Sequence, residues 1–83
     1  MTIQLRYFAS LREALGSAET VEVADGATVA QVRDQLIARG APHADALARG
    51  KAVRAAVDQA LSDESARLHD GAELAFFPPV TGG

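Results

Sequence analysis

The chain has no cysteine and no tryptophan. The missing thiol excludes disulfides, thiolate metal sites and cysteine nucleophiles together. It also fits a reducing compartment. No apolar run approaches the roughly 18 residues of a membrane span, and no charged and then apolar leader opens the chain. These absences predict a soluble, cytoplasmic protein with no membrane partner. Charge of one sign does not accumulate: the formal net charge is −3, which argues against nucleic acid as a partner. Gly16, Gly26, Gly40, Gly50 and Gly71 are scattered at element ends, so no glycine-rich phosphate cradle forms. His43 and His69 stand alone, without metal-ligand spacing, and no metal is expected. Aromatics and prolines are scarce, with one tyrosine, three phenylalanines and three prolines in 83 residues. Four of those residues nevertheless stand in a row, Phe76-Phe77-Pro78-Pro79.

The remaining composition describes one small domain. Hydrophobic residues make up 48%, enough for a core and too much for disorder. Thr2 to Phe8 alternates, placing Ile3, Leu5 and Tyr7 on one face of a strand. Ser10 and Glu13 have the spacing of a capping box for a short helix. Leu11 and Leu15 share one side of it, and Gly16 ends it. Glu19 to Val23 alternates again, with Val21 and Val23 inward. The short connection makes these two strands an antiparallel pair.

Thr28, with Gln31 three residues on, caps a longer helix. Val29, Val32 and Leu36 form its apolar stripe, widened by Ile37, while Arg33, Asp34 and Gln35 face outward. Arg39 falls in its last turn, Gly40 closes it and Pro42 forbids continuation. Ala44 to Arg49 adds one helical turn holding Leu47. Lys51 to Val57 reads as a third strand, with Val53, Ala55 and Val57 on one face. Asp58-Gln59 turns into a brief return at Ala60-Leu61. Ser62 to Ala66 is a polar loop, and Asp70-Gly71 turns into a last strand, Glu73 to Phe77.

One good amphipathic helix and several short strands predict an α+β domain, a mixed sheet packed on that helix. The last strand pairs beside the first and parallel to it, which is the β-grasp arrangement. The domain is expected over residues 1–77 and an extended tail over 78–83.

In the last strand, Leu74 and Phe76 point one way and Ala75 and Phe77 the other. If the first pair enters the core, Phe77 is left outside, as a partner anchor or packed under the 62–69 loop. Pro78 and Pro79 lack N–H donors and fix φ near −65°, so strand pairing fails there. The residue before each proline is pushed toward extended backbone. Six residues from Pro78 to Gly83 reach roughly 20 Å. Gly82 and Gly83 have no Cβ and fit a narrow slot. The carboxylate of Gly83 is thereby offered without a side chain in the way.

Ala75-Phe76-Phe77-Pro78-Pro79-Val80-Thr81-Gly82-Gly83 resembles the terminus of the small, sulfur-carrying subunit of molybdopterin synthase. Leu5-Arg6-Tyr7-Phe8-Ala9-Ser10-Leu11-Arg12-Glu13 is similar to that family's first strand and short helix. Asp70-Gly71-Ala72-Glu73-Leu74 resembles its turn into the final strand. Ala55-Ala56-Val57-Asp58-Gln59 resembles a segment in which many members carry Asn where Asp58 stands. The resemblance implies that the Gly83 carboxylate is adenylated by an ATP-using enzyme resembling ubiquitin-activating enzymes. A sulfur donor protein then converts it to a thiocarboxylate. The tail next enters the large catalytic subunit, in a heterotetramer, where the sulfur attacks a cyclic pterin monophosphate precursor. The chain is then a carrier, not the catalytic subunit, and holds no cofactor of its own. Phe77, Pro78, Pro79, Val80, Thr81 and Gly82 flank the working group as binding residues, with Arg12 a further candidate on the short helix.

Three other readings remain open from the sequence. A carrier for thiamine or another thiolated product would also end in Gly-Gly, although the Phe-Phe-Pro-Pro lead-in disfavours it. A ubiquitin-like protein modifier needs the same free end. A plain interaction module would have an inert tail.

Overall fold

The computed structural model describes residues 1–79. Its strands are β1 (Thr2–Tyr7), β2 (Ala18–Glu22), β3 (Arg54–Val57), β4 (Ala60–Ser62) and β5 (Glu73–Phe77). The helices are α1 (Ala9–Leu15), α2 (Val29–Ile37) and α3 (His43–Ala46). The strands form one five-stranded sheet in the order β2-β1-β5-β3-β4. β1 and β5 are parallel neighbours at its centre, and the other pairings are antiparallel. This is the expected α+β, β-grasp topology.

The alternation in β1 and β5 decides which face is buried. Ile3, Leu5 and Tyr7 are buried, as are Leu74 and Phe76 opposite them. Val29, Val32 and Leu36 of α2 close over this layer in the same cluster. Each large apolar side chain so enclosed contributes about 1.5–3 kcal/mol. At the start of α2, the Thr28 hydroxyl accepts from the Gln31 N–H at 3.3 Å. The Gln31 side chain accepts from the Thr28 N–H at 2.9 Å. The predicted capping box is therefore present.

The 62–69 loop continues this work. The Ala66 and Glu64 carbonyls accept the N–H groups of Val29 and Ala30, each at 3.0 Å. These are first-turn donors that a helix cannot satisfy internally. The loop thus seals the helix on the inner side of the sheet, while Leu68 anchors it in the core.

Four expectations need correction. Ser10 and Glu13 form no capping box, and α1 has no side-chain cap. The helix begins two residues early, with Phe8 as its N-cap and the Phe8 carbonyl accepting from Leu11 at 3.1 Å. Ser10 is consequently inside the first turn rather than at its mouth. Arg33 faces inward, not outward, and is only 3% exposed. Its Nε donates to the Leu47 carbonyl at 2.8 Å, and Nη2 to the Ala48 and Lys51 carbonyls at 2.7 and 3.2 Å. Its Nη1 also meets Glu64 at 3.2 Å. β3 accordingly starts at Arg54 rather than Lys51, because Arg33 holds the Lys51 backbone out of the sheet. Finally, α2 ends at Ile37, before Arg39. The Arg39 guanidinium turns instead to Glu19, at 2.7 Å.

Of the expected tail, Pro78 and Pro79 are described and lie outside any strand. Val80, Thr81, Gly82 and Gly83 lie outside the described residues.

Candidate functional site

The site is the end of β5 and the ground around it. Two central strands deliver it, since β1 and β5 run in the same direction and Tyr7 stands opposite Phe76. Their rings stack at 6.5 Å between centroids with 15° between planes. Tyr7 Oη donates to Glu19 Oε2 at 3.0 Å, and His43 Nε2 lies 3.0 Å from the same oxygen. Arg39 takes the other oxygen of Glu19. Burial, then the bond to Glu19, pushes the Tyr7 hydroxyl far above its ordinary range. Tyr7 stays neutral and remains a donor. Burial pushes Glu19 up, but the bonds from Arg39, His43 and Tyr7 outweigh it and hold the carboxyl below its ordinary value. The cluster joins β1, β2, the segment that follows α2, and α3 beneath the last inward ring of β5. Its chemical effect is rigidity at the point where the chain leaves the sheet.

On the opposite face the register brings apolar side chains together. Phe8 follows Tyr7 and turns outward, level with Phe77. Ala75, Ala56 and Leu61 continue the strip across β5, β3 and β4. Leu61 is 70% exposed and Phe8 41%, the two exposed large hydrophobics among the described residues. Phe77 is half-buried. Ala75 is itself covered, but exposed Phe8 and Leu61 on one outer face of a small domain mark an interaction surface. Phe77 thus faces away from the core, and the 62–69 loop, bonded to α2 on the other face, does not claim it.

Pro78 lines a second feature, a cleft of about 230 Å³ shared with Ser10, Leu11 and Ala14 of α1 and with Lys51. Pro79, the next residue, is half-buried. Arg12 is exposed on α1, whose Leu11 and Ala14 form one wall of the cleft, and makes no side-chain ion pair among the described residues. The structure therefore brings Phe77, Pro78 and Pro79 together and places Arg12 on the neighbouring helix. The binding positions Val80, Thr81 and Gly82, and the working group at Gly83, lie outside the described residues.

Sequence reasoning missed Phe8 and Leu61 as members of this surface. Phe8 was readable, since a residue after an inward Tyr7 must point outward. Leu61 was not, because its place depends on the β3–β4 register. Among the described residues no group of three or more His, Asp or Glu is placed to hold a metal. No helix of the described residues is long and apolar enough to cross a membrane.

Comparison with known proteins agrees with this geometry. The ThiS family model matches residues 5–83. A protein of Escherichia coli (strain K12) named molybdopterin synthase sulfur carrier subunit is 44% identical over 81 residues, covering 98% of this chain and 99% of its own. The Haemophilus influenzae protein of the same name is 38% identical over 82 residues, with 98% and 99% covered. Among solved structures, SAMP1 from Haloferax volcanii superposes with a TM-score of 0.77 at 27% identity, over 100% of both chains. The parallel β1–β5 core and the strand that leads into Pro78-Pro79 thus have full-length counterparts. The chain belongs to the ThiS family, with molybdopterin synthase sulfur carrier subunits among its relatives.

Proposed function

We propose that this chain is the sulfur carrier subunit of a molybdopterin synthase. The observation that carries the reading is the union of two features at one place. A rigid central strand ends in Phe77-Pro78-Pro79 beside an exposed apolar strip, and only Val80, Thr81 and Gly82 separate that exit from Gly83. The names of the full-length relatives supply the cargo.

In this account the carboxylate of Gly83 is the working group. A carboxylate is a poor electrophile, so an ATP-using activating enzyme first makes it an acyl-adenylate. A sulfur donor protein replaces AMP, leaving a thiocarboxylate on Gly83. The large catalytic subunit then receives the tail, and the sulfur attacks the cyclic pterin monophosphate precursor. The domain of residues 1–77 presents the tail of residues 78–83, and needs no cofactor to do so. Phe77, Pro78, Pro79, Val80, Thr81 and Gly82 supply the contacts that offset the entropy of ordering the tail. Phe8 and Leu61 extend that docking surface, and Arg12 borders it. The relatives are named as subunits, which supports a complex with a large subunit. We place the pathway in the cytoplasm.

The test is complementation of cells that lack their own carrier. The chain is expected to restore cofactor synthesis, and a version lacking Gly83 to fail. Restoration by the chain without Gly83 would remove the working group from the account. A protein-modifier reading keeps one point in its favour, the likeness to a small archaeal modifier protein. It predicts an amide to lysines of other proteins instead of transferable sulfur.

A further inference from the structure

The apolar strip is flanked by two guanidinium groups. Arg6 on β1 stands opposite Ala75, and Arg54 on β3 stands opposite Phe77. β5 runs between them, so the cations border its outward residues from both sides. Both side chains are exposed. The Arg6 guanidinium lies 5.5 Å from the centroid of the Phe8 ring. Its nearest carboxylate oxygen, on Glu73, is 3.8 Å away, beyond hydrogen-bond range. Among the described residues Arg54 joins no ion pair. Glu73 is the one carboxylate among the outward residues of β1, β3 and β5.

A partner that covers Phe8, Leu61 and Phe77 must also cover these cations. Removing water from a guanidinium without supplying an acceptor is strongly unfavourable. One carboxylate, already shared weakly with Arg6, does not serve both. The rest of the chain adds a second reason. Its net charge of −3 repels an acidic partner at long range. Arg6 and Arg54 concentrate the opposite sign on the docking face and so orient the encounter.

We propose that the surface docking on this strip is an apolar socket with carboxylates on two sides, one facing Arg6 and one facing Arg54. The inference rests on the carrier reading and deepens it, the occupant being the large catalytic subunit. Arg6 and Arg54 are then specificity-determining residues that reject partners with a neutral or basic rim.

The test is association of the intact chain with the large synthase subunit of the same organism, followed by calorimetry and stopped flow at about 0.05 and 0.5 M salt. The Arg6→Glu, Arg54→Glu double variant is expected to bind at least about tenfold more weakly at low salt, chiefly through a slower on-rate. The Arg6→Lys, Arg54→Lys variant keeps the charge and should stay within about threefold of the original. Arg67→Glu, which changes a loop cation away from the strip, should leave affinity unchanged. If the charge-reversed variant does not fold, Arg6→Gln with Arg54→Gln is read instead, with a loss of about threefold expected. Unchanged binding by the charge-altered variants, with Leu61→Ala still weakening it, would overturn the acidic rim and leave the docking strip standing. Absence of binding by the unaltered chain would overturn the carrier reading and this inference with it.

Discussion

Arg33 and Leu47 are joined inside the protein: the guanidinium Nε donates to the Leu47 main-chain carbonyl at 2.8 Å. Two further carbonyls, of Ala48 and Lys51, accept from the same side chain. One helical residue therefore organises the whole passage from α3 into β3. Arg33→Ala strands these carbonyls, while Glu64 keeps its ion pair with Arg49. It is expected to cost about 1–3 kcal/mol for each buried acceptor left without a donor, read as a lower midpoint in urea. Arg33→Lys should recover little, since a point charge does not span three acceptors set around a planar fork.

The two faces of the sheet separate docking from folding. Phe76 is 1% exposed and Leu61 70%. Phe76→Ala should cost about 3–5 kcal/mol of stability. Leu61→Ala should change stability by no more than about 0.5 kcal/mol. Phe77→Ala, on the outer face, should leave the domain folded and weaken binding to the large subunit by about 2 kcal/mol. A Phe77→Ala protein that melts early but binds normally would reverse the assignment of that ring.

Helix caps give a matched pair of variants. Thr28→Ala removes a cap whose two bonds are both present and should cost about 1 kcal/mol. Ser10→Ala removes a hydroxyl from a helix with no side-chain cap and should be close to neutral. Chemical denaturation of both variants checks the contrast.

His69 and Asp58 predict a pH dependence. His69 Nε2 lies 2.6 Å from Asp58 Oδ2, and its Nδ1 lies 2.9 Å from the Asp70 carbonyl. The bond to Asp58, then that to the Asp70 carbonyl, holds the imidazole above its ordinary value of 6.5. The Glu73 N–H, then His69, holds the Asp58 carboxyl below its ordinary value of 3.8. The histidine contribution is complete below 6.5 and is lost as pH rises through the higher folded value. The aspartate contribution is complete above 3.8 and is lost as pH falls through the lower folded value. Both are present together between 3.8 and 6.5. Titration of the His69 ring protons by NMR should give a midpoint above that of a free histidine. Asp58→Asn should move it back down.

Much of this was legible in local pattern. Alternation located β1, β2 and β5 and placed Leu74 and Phe76 inward, because a strand has only two faces. The Thr28–Gln31 spacing located α2. The same kind of spacing failed at Ser10, where the Phe8 carbonyl starts the helix first. Arg33 was misread because its acceptors lie in an irregular segment 14 to 18 residues away, and nothing in helical periodicity reports them. Leu61 joined the docking strip through the β3–β4 pairing, a register that side-chain pattern in a three-residue strand does not determine. Pro78 and Pro79, by contrast, were read from chemistry alone, since residues without an N–H do not continue the ladder, and both lie outside any strand.

The claim at the centre is that sulfur travels on the main chain at Gly83. The most direct measurement is the intact mass of the protein taken from cells actively making the cofactor, with fragmentation to locate any change. The account predicts a population in which one oxygen is replaced by sulfur, and fragments that place the exchange on Gly83. A chain whose mass always matches the plain sequence in such cells, or whose sulfur sits on another residue, would contradict it.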